Sequence, residues 1–209
     1  MQSINLYRSH VRALLALAAK DDVRYYLNGI LASIKPTHVD LVATNGHVLG
    51  AIHVTSESAP VPAEIIIPRA ILETVAKDKT PLAVTLEFEG DACTIVAGSA
   101  RYAFKSEGKF PDWCRVIPLK VSGLACQLNP DLLALFRKAA TALGLTKTAM
   151  IMVGHNGTEP KSGERHGDGS CLVTLGSRDE FIGVIMPMRH AVADIPSGAP
   201  MWAKGMTPK

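Results

Sequence analysis

The chain has 209 residues, of which 47% are hydrophobic and 20% are charged, and its formal net charge is +3. This composition is typical of a globular protein with one or two domains. No apolar run reaches the roughly 18 residues of a membrane-spanning helix, and the N-terminus lacks the layout of a signal peptide. Four cysteines are scattered singly, which argues against a disulfide or metal framework. We therefore expect a cytoplasmic protein whose mild positive charge permits a nucleic-acid partner.

The first quarter of the chain predicts a helix followed by an antiparallel meander. Residues 5–20 have apolar side chains at helical spacing, and Asn5 is a suitable N-cap. Asn45-Gly46 between two apolar runs predicts a tight two-residue hairpin turn, because both positions of that turn need a positive φ. Strands are predicted over Val23–Leu27, Leu41–Thr44 and His47–Val54. Tyr25 shares a face with Val23 and Leu27, which makes it a core candidate.

The rest of the chain predicts the same order of elements twice more. Arg69–Lys77 is predicted as a helix with Pro68 in its first turn, and a second helix begins at Asn129-Pro130 and ends near Gly144. An extended connector is predicted from Phe110 to Pro118. The predicted strands are Glu64–Ile67, Leu82–Phe88, Cys93–Ala97, Tyr102–Lys105, Leu124–Leu128, Ala149–Val153, Ser170–Leu175 and Phe181–Met186.

These elements indicate an α+β fold built from three repeated units, each a strand, a helix and three strands, at a spacing of roughly 60 residues. The unit bounds are 1–58, 59–118 and 119–190, and 191–209 is a tail rich in Pro and Gly without periodicity. The outer faces of the three helices carry basic side chains, which together would suit phosphate groups. Taken singly, each basic face is also what a solvated helix shows.

Five ordered stretches resemble one family: VRYYLNGIL, LVATNGHVLG, IIIPRAILETV, KFPDWCRVIP and VIMPMRH. The first four resemble the middle domain of the bacterial DNA polymerase III beta subunit, the replicative sliding clamp, and the last resembles its C-terminal end. The resemblance implies a DNA-clamp fold of one and a half clamp domains, with residues 1–118 as the two-unit domain. Helices would lie inside and sheets outside of a ring that encircles duplex DNA and tethers a polymerase. No catalysis, cofactor or metal is expected.

The resemblance also implies two sets of functional residues. A groove that binds peptides of polymerases and clamp loaders would be lined by Leu27, Thr44, Gly46, His47, Leu49, Pro111, Arg115, Val116, Asn129, Leu132, Val184, Ile185, Met186, Pro187 and Met188. The hairpin and the segment Val184–Met188 would form its opposite walls. DNA-facing positions would be Arg8, Arg12, Lys20, Arg24, Tyr26, Arg69, Lys77, Lys79, Arg137 and Lys138.

The sequence departs from the family in ways that change the expected assembly. Asn45 and Val48 stand where the family has Asp and Arg, and Leu132 replaces a frequent aromatic. The first clamp domain and the first half of the last one have no counterpart. Because a family ring holds twelve units, three units per chain predict a homotetramer. The alternative is a non-encircling adaptor or decoy that binds polymerase peptides or a host clamp. A short, divergent member would suit a phage or mobile element.

An enzymatic function finds little support in the sequence. His155, His166 and Asp168 lie in the Gly-rich segment Gly154–Gly169. However, the chain has no HExxH motif, no phosphate-binding GxxxxGK[ST] loop and no paired-carboxylate motif. We expect this segment to be a long polar loop, a place for contacts rather than chemistry.

Overall fold

The computed structural model describes residues 1–56, 61–77, 82–121, 126–146, 150–155 and 169–188. Within these ranges three α-helices and eleven strands alternate, which confirms the α+β class. The elements are β1 (Gln2–Tyr7), α1 (Arg8–Leu15), β2 (Gly29–Ile34), β3 (His38–Thr44), β4 (Val48–Thr55), β5 (Ala63–Pro68), α2 (Arg69–Lys77), β6 (Ala83–Glu89), β7 (Ala92–Ala97), β8 (Ala100–Lys105), α3 (Pro130–Ala142), β9 (Ile151–His155), β10 (Cys171–Leu175) and β11 (Phe181–Ile185). None of the described helices is long and apolar enough to cross a membrane.

The strands form two antiparallel sheets. One has four strands in the order β1-β6-β7-β8, and the other has seven in the order β5-β2-β3-β4-β11-β10-β9. The strand before each of the first two helices pairs with the strand after the other helix, since β1 joins β6 and β5 joins β2. The element order thus reads β-α-β-β-β twice and then α-β-β-β. The unit bounds at residues 58 and 118 remain a prediction.

The predicted helix over residues 5–20 is wrong at both ends. Residues Gln2–Tyr7 form β1, in which the buried Ile4 and Leu6 alternate with exposed neighbours, and Asn5 is therefore not a helix cap. The helix begins at Arg8 and ends at Leu15. Apolar residues at Leu6 and in the helix happen to fit one helical stripe, but pairing of β1 with the distant β6 decides the structure of the first seven residues.

The predicted strand Val23–Leu27 is also wrong. Tyr25–Leu27 is a turn of 3₁₀ helix, and Val23 and Tyr25 are exposed, the former by 96%. The strand lies next in the chain, at Gly29–Ile34, where all six residues are buried. A strand buried on both faces has no period-two alternation, and the alternating letters before it were misleading.

The hairpin between β3 and β4 has a different turn from the one predicted. Three residues, Asn45 to His47, connect the strands, and among them Gly46 alone has a positive φ, of 88°. The side-chain Oδ1 of Asn45 accepts hydrogen bonds from the N–H groups of His47 and Val48, at 2.9 and 3.0 Å. An Asx-type turn thus replaces the two-residue turn, because the short amide side chain satisfies the loop backbone.

Other predictions are confirmed. The bounds of α2 are as predicted, and α3 begins at Pro130 with the Asn129 side chain accepting the N–H of Asp131. Gly144 follows α3 with a φ of 82°. The strands β6 to β8 and β9 to β11 lie within about two residues of their predicted bounds. Of the predicted strand Leu124–Leu128, residues 126–128 have no strand structure and the others lie outside the described residues.

A glycine pair allows the helices to approach the long sheet. Gly50 of β4 lies directly opposite Gly183 of β11, where two strands that are far apart in the chain meet. A Cβ on Gly183 would lie 2.5 Å from Cε1 of Phe136 in α3, and one on Gly50 would lie 2.3 Å from Cδ1 of Leu17. The ring of Phe136 meets that of Phe181 edge to face at 6.4 Å. This glycine seam is therefore where α3 and the end of α1 pack on the sheet.

Candidate functional site

An open cavity of about 180 Å³ lies where the β3–β4 hairpin, the end of β11 and the connector after β8 meet. Its base is apolar and includes the buried side chains of Leu27, Leu49, Phe110 and Val184. Leu49 and Val184 are direct partners across β4 and β11. These strands carry the two sequence stretches predicted as opposite walls, but as neighbours in one sheet they form a single continuous surface.

The facing wall comes from the connector instead. Residues Trp113–Val116 form a 3₁₀ turn, and Pro111, Trp113 and Val116 line the cavity from this side. Trp113 packs against the same apolar cluster as Leu27 and Val184. The sequence predicts an extended connector throughout, whereas its residues Trp113–Val116 form this turn, and Val116 at the end of the turn lines the cavity.

The rim of the cavity is polar and partly charged. The Arg24 guanidinium is held by Asp22, with Nη2 at 2.7 Å from Oδ2 and Nε at 3.0 Å from Oδ1. These hydrogen bonds lower the pKa of the Asp22 carboxyl to about 2 and raise that of Arg24. Asp22 is itself tied to Asn28 by two hydrogen bonds. A Cβ on Gly46 would lie 2.9 Å from Nη2 of Arg24, so glycine allows the guanidinium to lie over the hairpin tip.

Nine of the fifteen predicted groove residues line this cavity. They are Leu27, Thr44, Gly46, His47, Leu49, Pro111, Val116, Val184 and Met186. Five lining residues were missed as groove residues: Arg24, Val48, Phe110, Asp112 and Trp113. Phe110, Asp112 and Trp113 stand beside the predicted Pro111 in the sequence FPDW, and the apolar character of Phe110 and Trp113 is the signal that could have found them. Arg24 was assigned to the DNA-facing set.

The six other predicted groove residues lie elsewhere. Ile185 is fully buried in the helix-side core, the apolar cluster between the sheets and the three helices. It lies there because successive residues of β11 point to opposite faces of the sheet. Asn129 caps α3, and Leu132 packs against the helix-side core. Met188 donates its backbone N–H to the carbonyl of Gln127 at 2.8 Å, and its side chain is exposed outside the cavity. Arg115 and Pro187 flank the cavity in the chain without lining it.

Three of the predicted DNA-facing arginines have structural contacts with helix ends. Arg8 is only 3% exposed, and its Nη1 donates to the carbonyl of Val75 near the end of α2. Arg12 donates from Nε to the carbonyl of Ala76 at 2.7 Å. Arg69, at the start of α2, contacts the end of α1 in turn: its Nη1 lies within hydrogen-bond distance of three carbonyls, one from the last residue of α1 and two from the turn that follows it. These belong to Leu15, Ala18 and Ala19, at 3.2, 3.2 and 3.0 Å.

These reciprocal caps have a physical reason. The last carbonyls of a helix lack intrahelical partners and carry the negative end of the helix dipole, so a guanidinium there is favourable. The third helix is capped in the same way by Arg178, which donates from Nη2 to the carbonyl of Leu143. The helical spacing of Arg8 and Arg12 was visible in the sequence, but the neighbouring helix end that they face was not.

The remaining DNA-facing candidates have mixed surroundings. Lys20, Lys77 and Lys138 are exposed, and Arg137 is half-buried on α3. Tyr26 is half-buried against the apolar cluster of the cavity, with its ring 5.7 Å from that of Tyr25. Lys79, His166, Asp168 and the tail lie outside the described residues. His155, predicted in a polar loop, is instead the buried last residue of β9.

The chain is similar to bacterial sliding clamps in sequence. A family model described as DNA polymerase III beta subunit, central domain, matches residues 4–112. The beta sliding clamp of Pseudomonas putida is 34% identical over 125 residues, which cover 54% of this chain and 33% of that protein. That of Escherichia coli is 31% identical over 107 residues, or 48% and 28%. The chain therefore spans about a third of the length of the curated relatives that it matches.

Solved structures agree on the fold. A DnaN sliding clamp from Pseudomonas aeruginosa, bound to griselimycin, superposes with a TM-score of 0.66 at 21% identity. The match covers 90% of this chain and 66% of that one. A clamp from Bartonella birtlesii gives a TM-score of 0.61 over the same shares. The family model covers more than half of the 209 residues. The chain belongs to the DNA polymerase III beta subunit family, the bacterial sliding clamps, through the central domain that residues 4–112 match.

Proposed function

We propose that this protein is a sliding clamp, a non-catalytic processivity factor that encircles duplex DNA and holds a DNA polymerase through a peptide bound in the cavity. The observation that carries the proposal is the open apolar cavity built on the ATNGHVL hairpin of a beta-subunit central domain. A tether needs a docking surface rather than reactive groups, and this cavity is lined mainly by apolar side chains with a few polar ones at its rim.

The cavity has the properties that a short peptide requires. Its volume of about 180 Å³ is below the roughly 300–1,000 Å³ of sites that enclose a whole small ligand, so it would accept one or two side chains of a bound peptide. Leu27, Leu49 and Val184 offer a fixed apolar base, whereas the exposed Met186 is unbranched and adapts to different partner side chains. Gly46 leaves the hairpin tip without a side chain, and Arg24 above it provides a cation for a carboxylate or carbonyl of the peptide.

Two methionines provide a matched pair of variants for the peptide proposal. Met186 lines the cavity, whereas Met188 is exposed outside it. We expect Met186→Lys to weaken binding of a fluorescent peptide from a bacterial polymerase III at least tenfold, because it puts a charge on an apolar surface. Met188→Lys should change the affinity less than twofold. Equal losses in both variants, or none in Met186→Lys, would reject the cavity as the docking site.

Contact with DNA is assigned to the exposed lysines near the helices. Lys20 follows α1, Lys77 ends α2 and Lys138 lies on α3. Lysine contacts with phosphate are independent of base sequence and weaken with salt, which is what a ring that slides requires. We expect weak binding to a labelled duplex that is lost as salt rises. Triple replacement of these lysines by Gln should flatten that dependence, and an unchanged salt slope would contradict the assignment.

Encirclement of DNA requires several chains to assemble into a closed ring, so the oligomeric state tests it directly. Among the described strands, β8 pairs only with β7 and β9 only with β10, so both are sheet edges that another chain could extend. With three units per chain, we propose a homotetrameric ring. Light scattering should give the mass of four chains of 22.3 kDa each, and electron microscopy should show a central hole. A compact monomer that still binds the peptide would instead support the adaptor or decoy.

Topology supplies the functional readout. A closed ring placed on nicked circular DNA should stay bound through a gel-filtration column in high salt and should be released when the circle is cut. Retention would then depend on the DNA being closed rather than on affinity. Equal retention on circular and linear DNA would reject encirclement even if the groove bound its peptide.

A further inference from the structure

A group of metal-ligating side chains lies on β3 and β4, apart from the cavity residues. His38 and Asp40 are two apart on β3 and share a face, and Asp40 is the direct cross-strand partner of His53 on β4. Nδ1 of His53 is 2.7 Å from Oδ1 of Asp40, and Nε2 of His38 is 3.4 Å from Oδ2. One ligand atom from each residue lies within 4.8 Å of the other two.

The surroundings of His38 favour ligation through Nε2. Its Nδ1 lies 3.0 Å from the hydroxyl of Thr37. When Nδ1 carries the proton and donates to that oxygen, Nε2 presents its lone pair toward Asp40. Metal-binding histidines are usually oriented in this way by an acceptor on the other ring nitrogen. The centroids of the two imidazole rings are 4.7 Å apart, with the ring planes tilted by 37°, so both rings lie near the carboxylate.

We propose that His38, Asp40 and His53 form a binding site for a divalent transition metal ion such as Zn²⁺. Two imidazoles and one carboxylate suit Zn²⁺ or its first-row neighbours, whereas Ca²⁺ and Mg²⁺ take oxygen ligands. Ligand atoms about 2.1 Å from an ion are roughly 3.0–3.5 Å apart, so the widest present separation needs a shift of about 1 Å. The side chain of His53 is 53% exposed and has room for it.

The site would be open on one side. The side chains of Asp40 and His38 are 17% and 30% exposed, so solvent reaches the site. The two strands would supply three ligands, and water would complete the coordination. The bound ion would join β3 to β4 at the end of the hairpin far from Gly46. Because the ligands come from both strands in the folded register, binding would favour the folded chain by mass action.

Calorimetric titration of the full chain with Zn²⁺ tests the site. We expect one ion per chain at this site, with the affinity lowered at least tenfold in Asp40→Asn and in His53→Gln. These substitutions are conservative in shape and lie on an exposed face, so folding should be preserved. Thr37→Val should weaken binding by about tenfold through the orientation of His38. The matched control is His47→Gln, an exposed histidine at the other end of the same hairpin.

The result that would overturn the proposal is a Zn²⁺ affinity that is the same in Asp40→Asn, His53→Gln and the unaltered chain. A loss in His47→Gln as large as in His53→Gln would overturn it equally, because binding would then be spread over surface histidines. Thermal melting with and without Zn²⁺ gives a second readout. A stabilisation by Zn²⁺ is expected for the unaltered chain and for His47→Gln, and its persistence in Asp40→Asn would count against the site.

Discussion

Replacing Arg69 separates a structural role from a DNA-binding role. In Arg69→Met, most of the apolar stem is kept, while the guanidinium that contacts three carbonyls at the end of α1 and in the turn after it is lost. A hydrogen bond to a charged group contributes about 1.5–3 kcal/mol. The three acceptors share one nitrogen and therefore count as one such interaction. The pair of Arg69 with Glu73, at 2.7 Å on the helix surface, adds about 0–1 kcal/mol.

We therefore expect Arg69→Met to lower the free energy of unfolding by about 1.5–4 kcal/mol. For a chain of this size, that loss corresponds to a fall in melting temperature of roughly 3–16 °C. Urea unfolding followed by circular dichroism measures the free energy directly. The control is Lys77→Met, on the same helix but exposed. Its free energy of unfolding should stay within about 0.5 kcal/mol of the unaltered chain.

The same two variants distinguish the roles when DNA binding is measured at two salt concentrations. Lys77→Met should reduce the salt dependence of duplex binding, because one phosphate contact is lost. Arg69→Met, measured well below its melting temperature, should keep it. The reverse pattern, with unchanged stability and a reduced salt slope in Arg69→Met, would refute the capping argument and return Arg69 to the DNA-facing set.

Three further predictions concern packing, ionisation and thiol reactivity. Gly183→Val should cost about 1–3 kcal/mol in urea unfolding, because its Cβ would lie 2.5 Å from the aromatic ring of α3; unchanged stability would contradict the seam. Because the pKa of Asp22 is lowered to about 2, its contact with Arg24 is present at neutral pH and is lost only as pH falls through that value. The chemical shift of the Arg24 Nε–H proton in NMR spectra should therefore stay constant between pH 7 and pH 4. Burial raises the pKa of Cys171 to about 12, so iodoacetamide at pH 8 should modify it far more slowly than the exposed Cys114, as mass spectrometry can show.

Local signals were sufficient for much of the fold. The bounds of α2 and the start of α3 followed from Pro68, from the Asn129 cap and from apolar residues at helical spacing. The strands after α2 are separated in the sequence by turn residues at Glu89–Asp91 and Gly98-Ser99, and the first of them buries alternate residues, Val84, Leu86 and Phe88. Each of these elements buries one face, and a helix or strand with one buried face has apolar residues at a regular spacing that can be recognised in the sequence.

The errors arose where distant partners decide the structure. The N-terminal strand β1 is stabilised by pairing with β6, which lies about 80 residues further along the chain. The residues around β1 contain no signal that identifies this partner. The fully buried β2 has no alternation to detect. In the cavity, two residues of the stretch Val184–Met188, which the resemblance implies as one wall, are lining residues. The pleat, known only once β11 is placed against β4, decides that Val184 and Met186 line it while Ile185 enters the core.

Function and packing meet in the same pair of strands. Leu49 and Val184 face the cavity, and the neighbouring pair Gly50 and Gly183 faces the helices from the other side of the sheet. Any displacement of β11 by a larger residue at the glycine seam therefore also moves the cavity base. Gly183→Val should consequently weaken peptide binding although it touches no peptide, whereas the exposed Thr174→Val on β10 should not. The cavity is thus a property of how β11 pairs with β4, which explains why neither sequence stretch alone predicts its shape.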